Sequence, residues 1–192
     1  MKRILPVLAG AALLTLALAA CSDQPAEPTP TPVPSVSVVQ EDVPILSAFS
    51  TTDLQGNEVD QSVLTGKKLT MVNVWATYCE PCKEEMPDLA QLSQNYEDVQ
   101  IIGLVSDVLN ADGTVNQDQV DTAIALAEEA GVTYLNLIPS QDLASNVLGQ
   151  IYAVPTTFFV NEDGDQVGSV YVGARDADGW AEIIDALLEA LK

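Results

Sequence analysis

The sequence predicts an α/β fold: a three-layer sandwich in which a mixed central β-sheet carries helices on both faces. Three observations predict it. Runs 69–75 and 99–105 are short and nearly all apolar, as strands buried on both faces are. Stretches with apolar residues at helical spacing alternate with them. Near the end, two strand-like runs are joined through Asn161-Glu162-Asp163-Gly164, a hairpin signal that makes part of the sheet antiparallel.

Taken in order, the chain opens with an export-type leader. Lys2 and Arg3 form a positive start, and 4–20 is apolar, interrupted at Pro6. The segment ends Leu18-Ala19-Ala20-Cys21, which resembles a bacterial lipoprotein signal. The resemblance implies cleavage before Cys21 and diacylglycerol on its sulfur. An uncleaved transmembrane helix is the other reading, at the short end of the roughly 17–25 residues that span a bilayer. Either places the rest of the chain outside the cytoplasm. Residues 21–44 then form a tether. Pro25, Pro28, Pro30, Pro32, Pro34 and Pro44 alternate with Thr, Ser, Val and acids. Such a run favours extended polyproline II and reaches on the order of 70 Å. A ligand for a proline-recognition domain is its alternative.

The folded domain spans 45–192. Residues 48–51 read as a short strand, with Gln55-Gly56-Asn57 as its turn. Strand 69–75 is followed by a helix over 80–96, with Leu89 and Leu92 at helical spacing. After strand 99–105 comes an amphipathic helix at 118–130, with Val120, Ile124 and Ala127 on one face and Gly131 as its stop. Then follow a strand at 134–138, a short helix at 142–148, strands at 156–160 and 166–172, and a closing helix at 180–191.

Composition excludes several functions. The 192 residues suit one domain with accessories. Seven basic against 28 acidic residues give a net charge of −21, which repels nucleic-acid phosphates and anionic lipid headgroups and favours solubility. Histidine is absent, which removes Ser-His-Asp and Cys-His chemistry and every His-ligated metal site. The cysteines are Cys21, Cys79 and Cys82.

Cys79-Glu80-Pro81-Cys82 lies where a strand gives way to a helix. Unpaired backbone N–H groups and the helix dipole favour thiolate there. Cys79, at an exposed N-cap, reads as the nucleophile. Cys82, one turn on, resolves the mixed disulfide, so the pair cycles between dithiol and disulfide. Half of a zinc site and a purely structural disulfide are the competing readings. Haem attachment requires His at 83, where Lys83 stands.

The run Val74-Trp75-Ala76-Thr77-Tyr78-Cys79-Glu80-Pro81-Cys82 resembles the thioredoxin superfamily. Its extension through Lys83-Glu84-Glu85-Met86-Pro87 is similar to the extracytoplasmic ResA/TlpA branch. The resemblance implies a thioredoxin-like fold with a central insertion near 107–131. It also implies attack by Cys79, resolution by a buried Cys82, and a redox-active Cys79–Cys82 disulfide. Pro155, in Val154-Pro155-Thr156, would be a cis-proline facing the pair; an X–Pro bond turns cis cheaply. The Val154 backbone would be left to pair with substrate. Tyr78, Glu80 and Pro81 would complete the substrate surface, Tyr78 standing where the branch often has Trp. Glu85 would act beside Cys82 as an acid–base group, because Asn73 occupies the strand position where ordinary thioredoxins carry Asp. Glu84 reads as solvated, and Pro87 as kinking the helix.

No cofactor or metal is implied. The implied partners are disulfides of exported proteins, apocytochrome c or a methionine sulfoxide reductase among them, and a membrane electron donor of the CcdA/DsbD type. A disulfide-forming oxidase, a peroxiredoxin-like peroxidase and a non-catalytic binding lipoprotein are the alternatives.

Overall fold

The computed structural model describes residues 45, 46 and 48–192. The leader, Cys21 and the tether lie outside the described residues. Among the described residues, no helix is long and apolar enough to cross a membrane.

The described residues form seven strands and four α-helices. They are β1 (Ser50–Asp53), β2 (Glu58–Asp60), β3 (Leu69–Trp75), α1 (Glu80–Leu92), β4 (Val99–Val105), α2 (Gln117–Glu129), β5 (Leu135–Ile138), α3 (Gln141–Asn146), β6 (Thr156–Val160), β7 (Gln166–Val172) and α4 (Ala177–Ala190). The sheet order is β2-β1-β5-β4-β3-β6-β7. β3, β4 and β5 run parallel, whereas β6 is antiparallel to β3 and β7 to β6. The sheet is therefore mixed.

β3 lies inside the sheet between β4 and β6, and all seven of its residues are buried, as a two-faced strand requires. Its side chains alternate between two apolar layers. Leu69 and Met71 pack with Leu89 of α1 and with Trp180, Ile184 and Leu187 of α4. Val72 and Val74 pack on the opposite face with Leu143 of α3, Val147 and Phe158. A third cluster lies at the C-terminal end of β3, where Trp75 meets Cys79, Cys82, Met86 and the α2 residues Val120 and Ala123.

Four strands form residue for residue as read: the apolar runs 69–75 and 99–105, and the hairpin strands 156–160 and 166–172. Other boundaries move. β1 begins at Ser50 rather than 48, and a short β2 pairs with it across the turn at Gly56, whose φ of 83° suits glycine. α1 stops at Leu92, four residues early. There the Ser93 hydroxyl bonds back to the Ala90 carbonyl and Asn95 N–H to that of Leu92, so polar residues close the helix in a tighter turn. α2 buries Val120, Ala123 and Ala127, leaving Ile124 partly exposed. Gly131 ends α2 at φ 70°. α4 starts at Ala177, because the Asp176 carboxylate accepts from Gly179 N–H.

One row of the sheet is polar. Register aligns Asn136, Gly103, Asn73 and Thr157 across β5, β4, β3 and β6. Trp75 Nε1 donates to Asn136 Oδ1 at 2.9 Å, and Asn136 lies over Gly103, which has no side chain to fill that space. A Cβ on Gly103 would stand 1.9 Å from Asn136 Oδ1 and 3.0 Å from Trp75 Nε1. Gly103→Ala should therefore break this buried bond. The expected loss is about 1–3 kcal/mol, for a buried donor left unpaired, read as a lower midpoint in urea denaturation.

Candidate active site

The site begins at the junction of β3 and α1. Cys79 is the N-cap of α1, and its Sγ accepts from Cys82 N–H at 3.2 Å. Pro81 sits in the first turn, where a missing N–H costs nothing. Cys79 and Cys82 are joined as a disulfide, with Cα atoms 5.3 Å apart. An exposed nucleophile is corrected here. Cys79 is 5% exposed and Cys82 1%, because Trp75, Ala76, Met86 and Val154 pack around both. Cys79 still lies nearer the surface.

The loop leading to Cys79 is tied down by the segment after β4. Ser106 N–H and Oγ both donate to the Trp75 carbonyl. Thr77 N–H lies 3.0–3.1 Å from both Asp107 carboxylate oxygens, and its hydroxyl donates to Oδ2 at 2.5 Å. Gln119 of α2 donates to Thr77 Oγ1 and Asp107 Oδ2, which fastens the insertion to the same knot. Cys79 N–H closes the turn on the Ala76 carbonyl at 3.1 Å.

Tyr78, Glu80 and Pro81 stand exposed around the pair. Glu80 pairs with Lys83 at 3.1 Å in an exposed contact that contributes little. The Val154–Pro155 bond is cis. Val154 packs partly buried against the cluster that holds both cysteines. Pro155 is buried, and its carbonyl accepts from Gly173 N–H at 2.8 Å.

Glu85 is buried one turn beyond Cys82. Its Oε1 accepts from Trp180 Nε1 at 2.7 Å and from Arg175 N–H at 3.0 Å. Its Oε2 accepts from Asn73 Nδ2 at 3.2 Å, which also donates to Thr157 Oγ1. Burial pushes its pKa up, and these donors, with the Arg175 charge, oppose that rise without cancelling it. The Arg175 guanidinium lies 5.0 Å from the Trp180 ring centre and 5.1 Å from that of Tyr171. The buried Tyr134 hydroxyl has no hydrogen-bond partner; burial, then the Glu85 charge, push its pKa up. Glu84 is exposed, and α1 runs past Pro87 to Leu92.

Sequence reading missed Trp180, Arg175, Thr157, Asp107 and Gln119. Trp180 carried the best signal, being one of two tryptophans and heading the expected closing helix. Among the described residues, no group of three or more Cys, Asp or Glu side chains is placed to hold a metal. Chemically, the site offers a dithiol–disulfide pair at a helix N-terminus with a buried carboxyl of raised pKa three residues beyond Cys82.

The raised pKa fixes a pH dependence. A carboxyl raised in the folded state binds its proton more tightly there than in the unfolded chain. Its stabilising contribution is complete below its ordinary value near 4.5 and is lost as pH climbs through the raised value. Gln at this position does not ionise. The melting temperature of Glu85→Gln should thus gain on that of the unsubstituted protein as pH rises from about 4 towards 8, checked by thermal melts across that range.

A family model described as Redoxin matches residues 31–187. The thiol-disulfide oxidoreductase ResA of Bacillus cereus is 29% identical over 126 residues, covering 64% of this chain and 65% of that protein, so the match spans somewhat less than two thirds of its length. ResA of Geobacillus kaustophilus is 30% identical over 144 residues, covering 75% of this chain and 74% of that protein. Among solved structures, a thiol:disulfide interchange protein of Chlorobium tepidum superposes with TM-score 0.60 at 24% identity, covering 74% of this chain and 94% of that one. A secreted disulfide oxidoreductase of Mycobacterium tuberculosis superposes with TM-score 0.57 at 21% identity, covering 74% and 97%. The fold is thus thioredoxin-like, and with the family model matched over most of its length the chain belongs to the Redoxin family.

Proposed function

We propose that this chain is an extracytoplasmic thiol–disulfide oxidoreductase, anchored through lipid on Cys21, that reduces disulfides in exported proteins. The observation that carries the reading is the Cys79–Cys82 disulfide at the α1 N-terminus, with Glu85 buried one turn behind Cys82. The ResA relatives, thiol-disulfide oxidoreductases by name, support the same chemistry.

The cycle starts from the dithiol. The Cys79 thiolate, favoured by the helix N-terminus, attacks one sulfur of the client disulfide. A Cys79–client bond forms, and the other client sulfur leaves with the electron pair and takes up a proton. Cys82 then gives its proton to the Glu85 carboxylate and attacks Cys79 Sγ. The Cys79–Cys82 bond forms, and the second client sulfur leaves as a thiolate and is protonated. The client gains two electrons and two protons; the chain gives up the two electrons, the Cys79 proton on ionising and the Cys82 proton once Glu85 releases it. A membrane dithiol donor of the CcdA/DsbD type restores the starting state. Tyr78, Glu80, Pro81 and the Val154–Pro155 segment form the surface that receives the client. Apocytochrome c and methionine sulfoxide reductases are the client classes that the family resemblance favours.

Cys82→Ser, which retains the attacking thiol but cannot resolve, should accumulate mixed disulfides with exported proteins, identified by mass spectrometry after non-reducing electrophoresis. Cys79→Ser should accumulate none; a Cys82→Ser strain without adducts sinks the proposal. Equilibration with glutathione fixes the direction, because a reductant couple stays largely oxidised against a reduced glutathione pool and an oxidant couple does not.

A further inference from the structure

Arg175 is the second of two arginines in a chain of net charge −21. Its side chain does not take the partner that so acidic a surface offers. Among the described residues, no carboxylate lies within ion-pair distance of it. The guanidinium instead sits in a corner of two rings, 5.1 Å from the centre of Tyr171 and 5.0 Å from that of Trp180. Those rings meet at 84° with centres 5.8 Å apart, and Phe159 packs edge-on against both. Arg175 Nη1 donates to the Gly173 carbonyl at 3.0 Å, which fixes the group from the loop side.

The other end of this arrangement is Glu85. Trp180 is buried, and its Nε1 donates to Glu85 Oε1 at 2.7 Å; the Arg175 N–H donates to the same oxygen at 3.0 Å. One residue thus reaches the carboxylate twice, by its backbone and by its charge. A cation on the face of an indole polarises the ring and makes its N–H a stronger donor. The same charge also favours the ionised carboxylate directly. The other groups around Glu85 bring no competing charge of that kind. Asn73 of β3 does not ionise. Burial raises the pKa values of Tyr134, just before β5, and Tyr171 of β7, so both stay neutral below about pH 9. On α1, Cys82 is held in the disulfide. Lys83, Glu84 and Asp88 of α1, and Asp176 and Asp178 at the start of α4, are partly or fully exposed.

We infer that Arg175 is a positioning residue for the proton step: its guanidinium, seated on Tyr171 and Trp180, sets how readily Glu85 takes the proton that Cys82 releases. The inference rests on the reading of Glu85 as the group that serves Cys82. The step is the one already written. Cys82 passes its proton to the Glu85 carboxylate, its sulfur bonds to Cys79 Sγ, and the displaced thiolate leaves with the electron pair. A carboxylate held ionised is free to accept that proton, whereas one already protonated is not.

The first measurement uses the full chain with the disulfide closed, so that neither cysteine titrates. Carbon-13 NMR of labelled glutamate carboxyls follows ionisation against pH, with the Glu85 signal identified by its loss in Glu85→Gln. Arg175→Gln should move the Glu85 midpoint up by about one pH unit, the low end of what a lost neighbouring charge gives. Arg175→Met, which keeps an apolar stem over both rings, should move it equally. Arg175→Lys, which keeps the charge, should leave it nearly in place. Every variant retains the backbone bond to Oε1, so the comparison isolates the side chain. An unmoved midpoint in Arg175→Gln and Arg175→Met overturns the inference. So does an equal rise in Arg175→Lys, since the group would then only cover the rings. The second measurement mixes the reduced chain with an aromatic disulfide whose thiolate is yellow. Cys79 frees one thiolate and Cys82 the second. The pH at which the second phase reaches half its maximal rate should rise in Arg175→Gln by as much as the NMR midpoint. A second phase unmoved while the midpoint moves overturns the link to Cys82. If neither phase appears in the unsubstituted chain, the oxidoreductase reading has failed, and the NMR midpoints alone then decide whether Arg175 governs Glu85.

Discussion

Glu85 brings a carboxylate into the interior, where water cannot solvate it, and the surrounding elements supply the donors that make this tolerable. Asn73 comes from β3, Trp180 from the closing helix and the Arg175 N–H from the loop before that helix. A carboxylate moved from water to protein costs several kcal/mol unless it is paired or hydrogen-bonded. Four parts of the fold are thus held in register around one side chain: α1, β3, the β7–α4 loop and α4. Burial outweighs the donors, so the pKa stays raised.

The same economy explains the polar row across the sheet. Asn136, Asn73 and Thr157 stand side by side on the face that α1 covers, where an ordinary core would carry valine or leucine. Each has a partner: Trp75 for Asn136, Glu85 and Thr157 for Asn73. Gly103 leaves a gap in the row that the Asn136 amide occupies. These bonds fix the Trp75 ring and the Glu85 carboxylate from below, so the dithiol rests on a floor of satisfied polar groups rather than on adaptable aliphatic packing.

Much of this was visible in one dimension. β3 and β4 could be bounded to the residue because each is a nearly apolar run, and β6 and β7 because a hairpin signal joins them. Glu85 was found from its three-residue offset from Cys82, and Asn73 from its place in the strand. The partners of Glu85 were not found, because Arg175 and Trp180 lie 90 and 95 residues away along the chain and no local spacing encodes that meeting. The depth of Cys79 was misjudged for a related reason. Position at a helix start is a local property, whereas cover by Val154 depends on how a distant segment packs. The end of α1 was missed because Ser93 and Asn95 compete for backbone groups in a way that apolar periodicity does not register.

The Thr77–Asp107–Gln119 knot bears on how such a molecule diversifies. α2 interrupts the path from β4 to β5, yet one of its glutamines grips the turn that presents Cys79. The added helix is therefore joined to the reaction centre through its inner side and free at its outer side. Drift on that outer side alters what the molecule looks like to its neighbours, while the turn beneath keeps its shape. Novelty in partners and constancy in chemistry can then coexist within one short stretch of chain.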